Sequence, residues 1–163
     1  MIIVLMGVAG SGKTTVGKQL ALRLDWEFLD GDDYHPPENI EKMSRGIPLT
    51  DADRAGWLDR LAVLITECLQ QGRPVVLACS ALKQSYRDRL TVSPGQVRFV
   101  YLKGSHELIG SRLLERAGHF MPPGLLESQF KDLEEPGNAL EVDIRLPVEV
   151  IAERIITNLD IHR

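Results

Sequence analysis

The sequence predicts an α/β fold, a single domain in which a five-stranded parallel sheet lies between two layers of helices. Three observations carry this. Short apolar strand segments alternate with amphipathic helical ones along all 163 residues. The first, third and fourth strand segments are largely apolar rather than alternating, as strands covered on both faces are. A glycine-rich stretch follows the first strand directly and opens a helix.

The elements follow in order. Ile2 to Met6 is a continuous apolar run, β-branched at Ile2, Ile3 and Val4, and reads as a buried strand. Val16, Leu20 and Leu24 recur at helical spacing after it. Trp26 to Asp30 reads as a second strand, with Phe28 and Leu29 buried. Pro37 to Arg45 reads as a helix, with proline near its start and Gly46 at its end. Thr50 and Asp53 form a capping-box pattern ahead of a long helix. Trp57, Leu58, Leu61, Ile65, Cys68 and Leu69 make its apolar stripe, and Gly72 ends it. "RPVVLACS" is the third strand, with a short helix from Gln84 to Leu90 after it. "VRFVYLKG" is the fourth strand, and Ser105 caps a helix reaching about Arg116. "AGHFMPPG" breaks the period, which resumes from Leu125 to Leu133. "ALEVDI" is the fifth strand, and Pro147 stands in the first turn of a last helix carrying Val150, Ile151, Ile155 and Ile156.

Composition bounds the function. Nineteen basic against 23 acidic residues leave a formal net charge of −4, which disfavours a broad nucleic-acid surface. The two cysteines, Cys68 and Cys79, lack CxxC neighbours, so they read as buried thiols in a reducing compartment. "MIIVLMGV" is too short and lacks the basic flank of a targeting signal, and no apolar run reaches membrane-spanning length. The expected location is the cytoplasm, with no membrane partner.

"GVAGSGKT", Gly7 to Thr14, fits GxxxxGK[ST] in its proper strand–helix setting. Glycines at 7, 10 and 12 let successive backbone N–H groups turn inward toward phosphate oxygens. The helix start near Lys13 adds its positive end. The expected ATP-binding set is Gly7, Val8, Ala9, Gly10, Ser11, Gly12, Lys13, Thr14 and Thr15, with Lys13 on the β- and γ-phosphates and the Thr14 hydroxyl on Mg2+. The fold is then a three-layer P-loop NTPase fold.

Absences narrow the class. No NKxD guanine reader is present, which disfavours a GTPase. The third strand ends in Ser80 where a motor ATPase needs a carboxylate, and no DGFPR-type signature of a nucleoside monophosphate kinase is found. A small-molecule kinase remains, and it explains the crowding of Asp30, Asp32 and Asp33 after the second strand. A carboxylate can orient a hydroxyl nucleophile and accept its proton late in transfer. Asp32 is assigned to the acceptor hydroxyl and Asp30 to a water of the Mg2+ shell, with Asp33 facing solvent. His35 is placed to bind substrate or to brace the Pro36–Pro37 turn.

Two more constellations fit such an enzyme. Ser80 ends a strand, and Lys83 and Arg87 lie four apart beyond it, suiting a carboxylate on the acceptor. Arg112 and Arg116, also four apart, enter the non-periodic segment, which reads as a lid over about residues 112–124. Arginines there would stabilise the charge of the moving phosphoryl group, and Arg112 is expected among the ATP contacts as well. Gly118 and Gly124 are candidate hinges, and His119 and Phe120 would touch substrate or pack.

Several blocks of the sequence are similar to one family. "MGVAGSGKTT", "FLDGDDYHPPENIEKMSRGIPLTDADRAGWL", "CSALKQSYRDRL", "RAGHFMP", "LLESQFKDLEEP" and "VDIRLPVE" resemble the gluconokinases of the shikimate-kinase-like P-loop group. They occur in the family's order over nearly the whole length, with Thr91 departing from an expected basic residue. The resemblance implies Mg2+-assisted phosphorylation of D-gluconate by ATP at the 6-hydroxyl. It adds Arg54 to the substrate contacts, Lys42 and Met43 as weaker ones, and Arg145 and Pro147 beside the adenine. The family is often dimeric, so a homodimer is the assembly to test for. Another small hydroxy-acid kinase and a nucleotide-dependent switch are the competing readings.

Overall fold

The computed structural model describes residues 1–115 and 123–162. Five strands, β1 (Ile2–Met6), β2 (Glu27–Asp30), β3 (Val75–Ala78), β4 (Val97–Lys103) and β5 (Leu140–Asp143), form one sheet in the order β2-β3-β1-β4-β5. Every pairing is parallel, with Leu5 beside Ala78 on one edge of β1 and Val100 on the other. The helices are α1 (Lys13–Leu24), α2 (Pro37–Ser44), α3 (Asp51–Gln70), α4 (Gln84–Leu90), α5 (His106–Glu115), α6 (Pro123–Asp132) and α7 (Val148–Asn158).

Strand alternation builds two cores. Ile3, Leu5, Val76, Val100 and Val142 face one side and pack against α1, α7 and the buried Ile109 and Leu126 of α5 and α6. Ile2, Val4, Met6, Val75 and Leu77 face the other and pack against Trp57, Leu58, Leu61 and Ile65 of α3 and Leu90 of α4. This double burial is why β1 and β3 carry no alternating pattern.

The chain leaves β1 toward β2 and β3, then turns to β4 and β5 on the other side. Such a switch point opens a crevice at the strand C-termini. The loop after β1, the turn after β2 and the loop after β3 all open there.

Local differences from the sequence reading have plain causes. β2 is the sheet edge, so Phe28 and Leu29 are half-buried instead of buried. Residues Gly31–Tyr34 form a 3-10 turn, because Asp30 accepts a hydrogen bond from the Asp32 backbone N–H at 3.0 Å and caps it. Pro147 is the N-cap of α7 and lies just outside the first turn. Val150 is exposed, since α7 presents Ile151, Ala152, Ile155 and Ile156 to the sheet. Gly124, a candidate hinge, lies in the first turn of α6. The Thr50–Asp53 capping box is formed in both directions, and both cysteines are buried and free.

Gly31 sits where a Cβ would lie 2.7 Å from the Ala78 carbonyl oxygen. Gly31→Ala should therefore lower stability in urea unfolding by about 1–3 kcal/mol, through overpacking. Gly56 lies in α3, and a Cβ there would meet nothing within 4 Å. Gly56→Ala should raise stability by about 0.5–1 kcal/mol in the same measurement.

Candidate active site

The loop after β1 has the backbone its glycines allow. Gly10 and Gly12 take φ of 79° and 96°, the left-handed region, and Gly12 caps α1 in that conformation. The Gly7 N–H donates to the Ser80 carbonyl at 3.1 Å, tying the loop to the end of β3. Lys13 Nζ folds back onto the Gly7 and Val8 carbonyls at 2.9 and 3.0 Å. The Ser11 hydroxyl is buried and has no hydrogen-bond partner among the described residues.

The acidic turn faces this loop. Lys13, Asp32, His35, Arg54 and Ser80 line one cleft of about 240 Å3 with Ala9, Met43, Leu82 and residues of α6. Asp32 is 72% exposed, because it projects into this open cleft. Its carboxyl is nevertheless held above the usual carboxylate value: neighbouring protein atoms strip water from it, Lys13 opposes this, and Asp30 and Asp33 add like charge. Asp30, Asp33 and Thr14 line an adjoining hollow with Lys18. The residues singled out after β1 and β2 are thus brought together, with Asp33 on the Thr14 side as well as exposed.

His35 is buried and stacks on Trp57 with ring centroids 4.1 Å apart. Burial, aided by Arg54, pushes its pKa down from 6.5 to about 4, so the ring is neutral at pH 7. Its Nε2 lies 3.7 Å from Asp32 Oδ1 and makes no ion pair there in the neutral state.

The cations after β3 require a correction. Arg87 does not face the cleft. Its guanidinium is buried and donates to the carbonyls of Ala81, Leu82 and Glu134 and to Gln84 Oε1. Ala81 has φ of 47°, an uncommon left-handed conformation for alanine. Arg87 holds the carbonyls of this turn, and the Glu134 N–H donates to the Leu82 carbonyl at 2.8 Å to complete the clasp. Lys83 is paired with Asp51 at 2.9 Å and is absent from the cleft lining. Arg54, from α3, is the cation that joins Lys13 in the cleft among the described residues. It donates to Tyr86 Oη at 2.9 Å and to Asp132 Oδ2 at 3.2 Å. Lys42 is held by Asp53, while Met43 lines the cleft.

Arg112 is also placed elsewhere than expected for phosphoryl transfer. Its Nη2 donates to the Ile144 carbonyl at 2.7 Å, on the loop that carries Arg145 and Pro147. Arg145 pairs with Asp143 and lines a second hollow of about 440 Å3 with Gly104, Ser105 and Leu108. Arg112 thus lies on the side of Arg145 and Pro147, in keeping with the ATP contact also expected of it. Arg116, Gly118, His119 and Phe120 lie outside the described residues.

Three residues escaped the sequence reading. Gln129 Oε1 accepts the Ala9 N–H at 2.6 Å, so α6 rests on the phosphate loop itself. Asn39 bonds His35, and Trp57 Nε1 donates to the Gly31 carbonyl at 2.8 Å. Gln129 stands in the "LLESQFKDLEEP" block, but nothing in its spacing pointed at Ala9.

Two outcomes follow from these contacts. Arg87→Met should lower stability by about 2–3 kcal/mol, by stranding buried carbonyls, whereas a substrate-contact role would leave unfolding unchanged and alter KM. His35 supplies a pH signature. Between pH 6.5 and about 4 the unfolded chain binds a proton that folded His35 refuses. Stability should thus fall as pH drops through this window, and His35→Phe should flatten that part of the profile.

With this geometry in place, comparison with known proteins is informative. A family model described as an AAA domain matches residues 2–136. A probable gluconokinase of Xenopus tropicalis is 46% identical, over 98% of this chain and 94% of that protein. A gluconokinase crystal structure from Sinorhizobium meliloti superposes with a TM-score of 0.87 at 46% identity, over 97% of this chain and 90% of that one. A shikimate kinase of Aquifex aeolicus, at 22% identity and a TM-score of 0.60, shares the fold alone. The chain is a P-loop kinase and belongs to the gluconokinase family.

Proposed function

We propose that this enzyme transfers the γ-phosphoryl group of ATP to the 6-hydroxyl of D-gluconate, giving 6-phospho-D-gluconate and ADP. One observation carries the reading: Lys13, Asp32 and Arg54 face the same small cleft. That sets a cation for phosphate, a carboxylate for a hydroxyl and a cation for the acceptor's own carboxylate side by side. The relatives named gluconokinase supply the identity of the acceptor.

Each residue then has a defined task. Asp32 orients the acceptor hydroxyl and takes its proton as the new P–O bond forms; its raised pKa makes it the better acceptor for that proton. Lys13 leaves the Gly7 and Val8 carbonyls for the β- and γ-phosphate oxygens. Arg54, already oriented by Tyr86 and Asp132, meets the gluconate carboxylate. Arg112, Arg145 and Pro147 flank the base.

Mg2+ suits the hollow beside the loop, where Thr14 and Asp30 present the oxygen donors such a hard cation takes. Thr14 would bind it directly and Asp30 through a water. When bound, it neutralises phosphate charge.

The test is ADP release with ATP, Mg2+ and a panel of D-gluconate, other aldonates, shikimate and nucleoside monophosphates. Turnover with D-gluconate is expected, and Asp32→Asn should lower kcat by at least about 100-fold with the ATP KM within a few-fold. Turnover with another acid alone would replace the acceptor. Tight ATP binding without acceptor-dependent turnover would favour a nucleotide switch.

A further inference from the structure

His35 has a fixed hydrogen-bonding sense. The Asn39 amide nitrogen donates to the Asp53 backbone carbonyl at 2.9 Å, and that carbonyl can only accept. The same nitrogen lies 3.2 Å from His35 Nδ1. Nδ1 therefore accepts, and the proton of the neutral ring resides on Nε2. Asn39 is 2% exposed and Trp57 stacks on the ring, so neither partner drifts. Nε2–H faces Asp32 Oδ1 across 3.7 Å in the cleft. This is too long for a direct hydrogen bond.

We propose that His35 and Asp32 together read a vicinal diol on the acceptor: the hydroxyl that reacts donates to Asp32, its neighbour accepts from His35 Nε2–H, and Asn39 keeps the proton on that nitrogen. Oxygens of adjacent hydroxyls lie about one hydrogen-bond length apart, about 2.8 Å. Two of them side by side span the gap with one bond at each end. His35 is thereby a specificity residue and Asn39 a positioning residue. The inference rests on the gluconate reading, in which the neighbour is the 5-hydroxyl.

Two measurements test it. Imidazole nitrogen NMR, with the His35 signal assigned by its loss in His35→Phe, should show Nε2 protonated and Nδ1 bare at pH 7. In Asn39→Asp the carboxylate can only accept, and the proton should move to Nδ1. A bare Nε2 in the parent protein would overturn the assignment of Asn39. In kinetics, the parent should prefer D-gluconate to 5-deoxy-gluconate by at least about tenfold in kcat/KM, and His35→Phe should cut that preference to within about threefold. A preference that survives in His35→Phe would overturn the diol reading alone. Phosphorylation of neither acid would overturn the proposed reaction and the diol with it, while the NMR result would still decide the role of Asn39.

Discussion

The acidic turn reaches the phosphate loop because no side chain separates the backbone of Gly31 from that of Ala78. A single methyl at Gly31 would stand 2.7 Å from the Ala78 carbonyl oxygen. From the other side Trp57 presses on the turn and bonds the Gly31 carbonyl. β3 is in turn locked to the phosphate loop by the Cys79 N–H on the Leu5 carbonyl and the Gly7 N–H on the Ser80 carbonyl. The path from Asp32 to Lys13 therefore runs through backbone contacts. These backbone contacts, with the Trp57 side chain, give a transfer site the fixed frame it needs. The Trp57 ring that holds Gly31 also carries His35, so the substrate side inherits the same anchor.

Three carboxylates survive together in this turn because each meets a different environment. Asp30 is bonded to the Asp32 backbone N–H and closes the turn. Asp33 stays exposed beside Thr14. Asp32 faces Lys13 in the cleft, and its pKa is raised. The cations are sorted as firmly. Arg87 is committed to carbonyls of a strained turn, and Lys83 to Asp51, which Tyr86 also bonds. What reaches the cleft from this neighbourhood is Arg54, braced on the same tyrosine. The Tyr86 hydroxyl thus links the surface pair to the cleft cation.

The sheet, its parallel sense and the phosphate loop were legible because they rest on local patterns: apolar strand runs, helical spacing and glycines at defined offsets. The Asp30–Asp32 pair was legible for the same reason. Arg87 and Lys83 were not. Spacing of four shows that two side chains share a helix face, but not what that face meets. In the structure Lys83 is the N-cap of α4 and meets Asp51, while Arg87 meets the Glu134 segment. Asn39 was hidden because its partners, His35 and the Asp53 carbonyl, belong to a neighbouring turn and to another helix. Backbone carbonyls leave no mark in a sequence, and they decide the fate of both Arg87 and Asn39.

The same limit hid the contact between α6 and the phosphate loop, and that contact has a chemical consequence. The Ala9 N–H is answered by Gln129 Oε1, while Leu113 of α5 crowds the space where Gly10 would carry a Cβ. Both helices flanking residues 116–122 therefore rest on the loop that would cradle phosphates. One N–H cannot serve a neutral amide oxygen and a phosphate oxygen at full strength. The charged oxygen makes a bond roughly twice as strong as a neutral acceptor does. A nucleotide that draws on Ala9 must then displace Gln129, freeing a side chain that lines the cleft beside Lys13 and Asp32. Occupation of the Ala9 N–H by phosphate and the present position of the Gln129 side chain thus exclude each other, while Leu126 and Asp132 hold α6 itself in place.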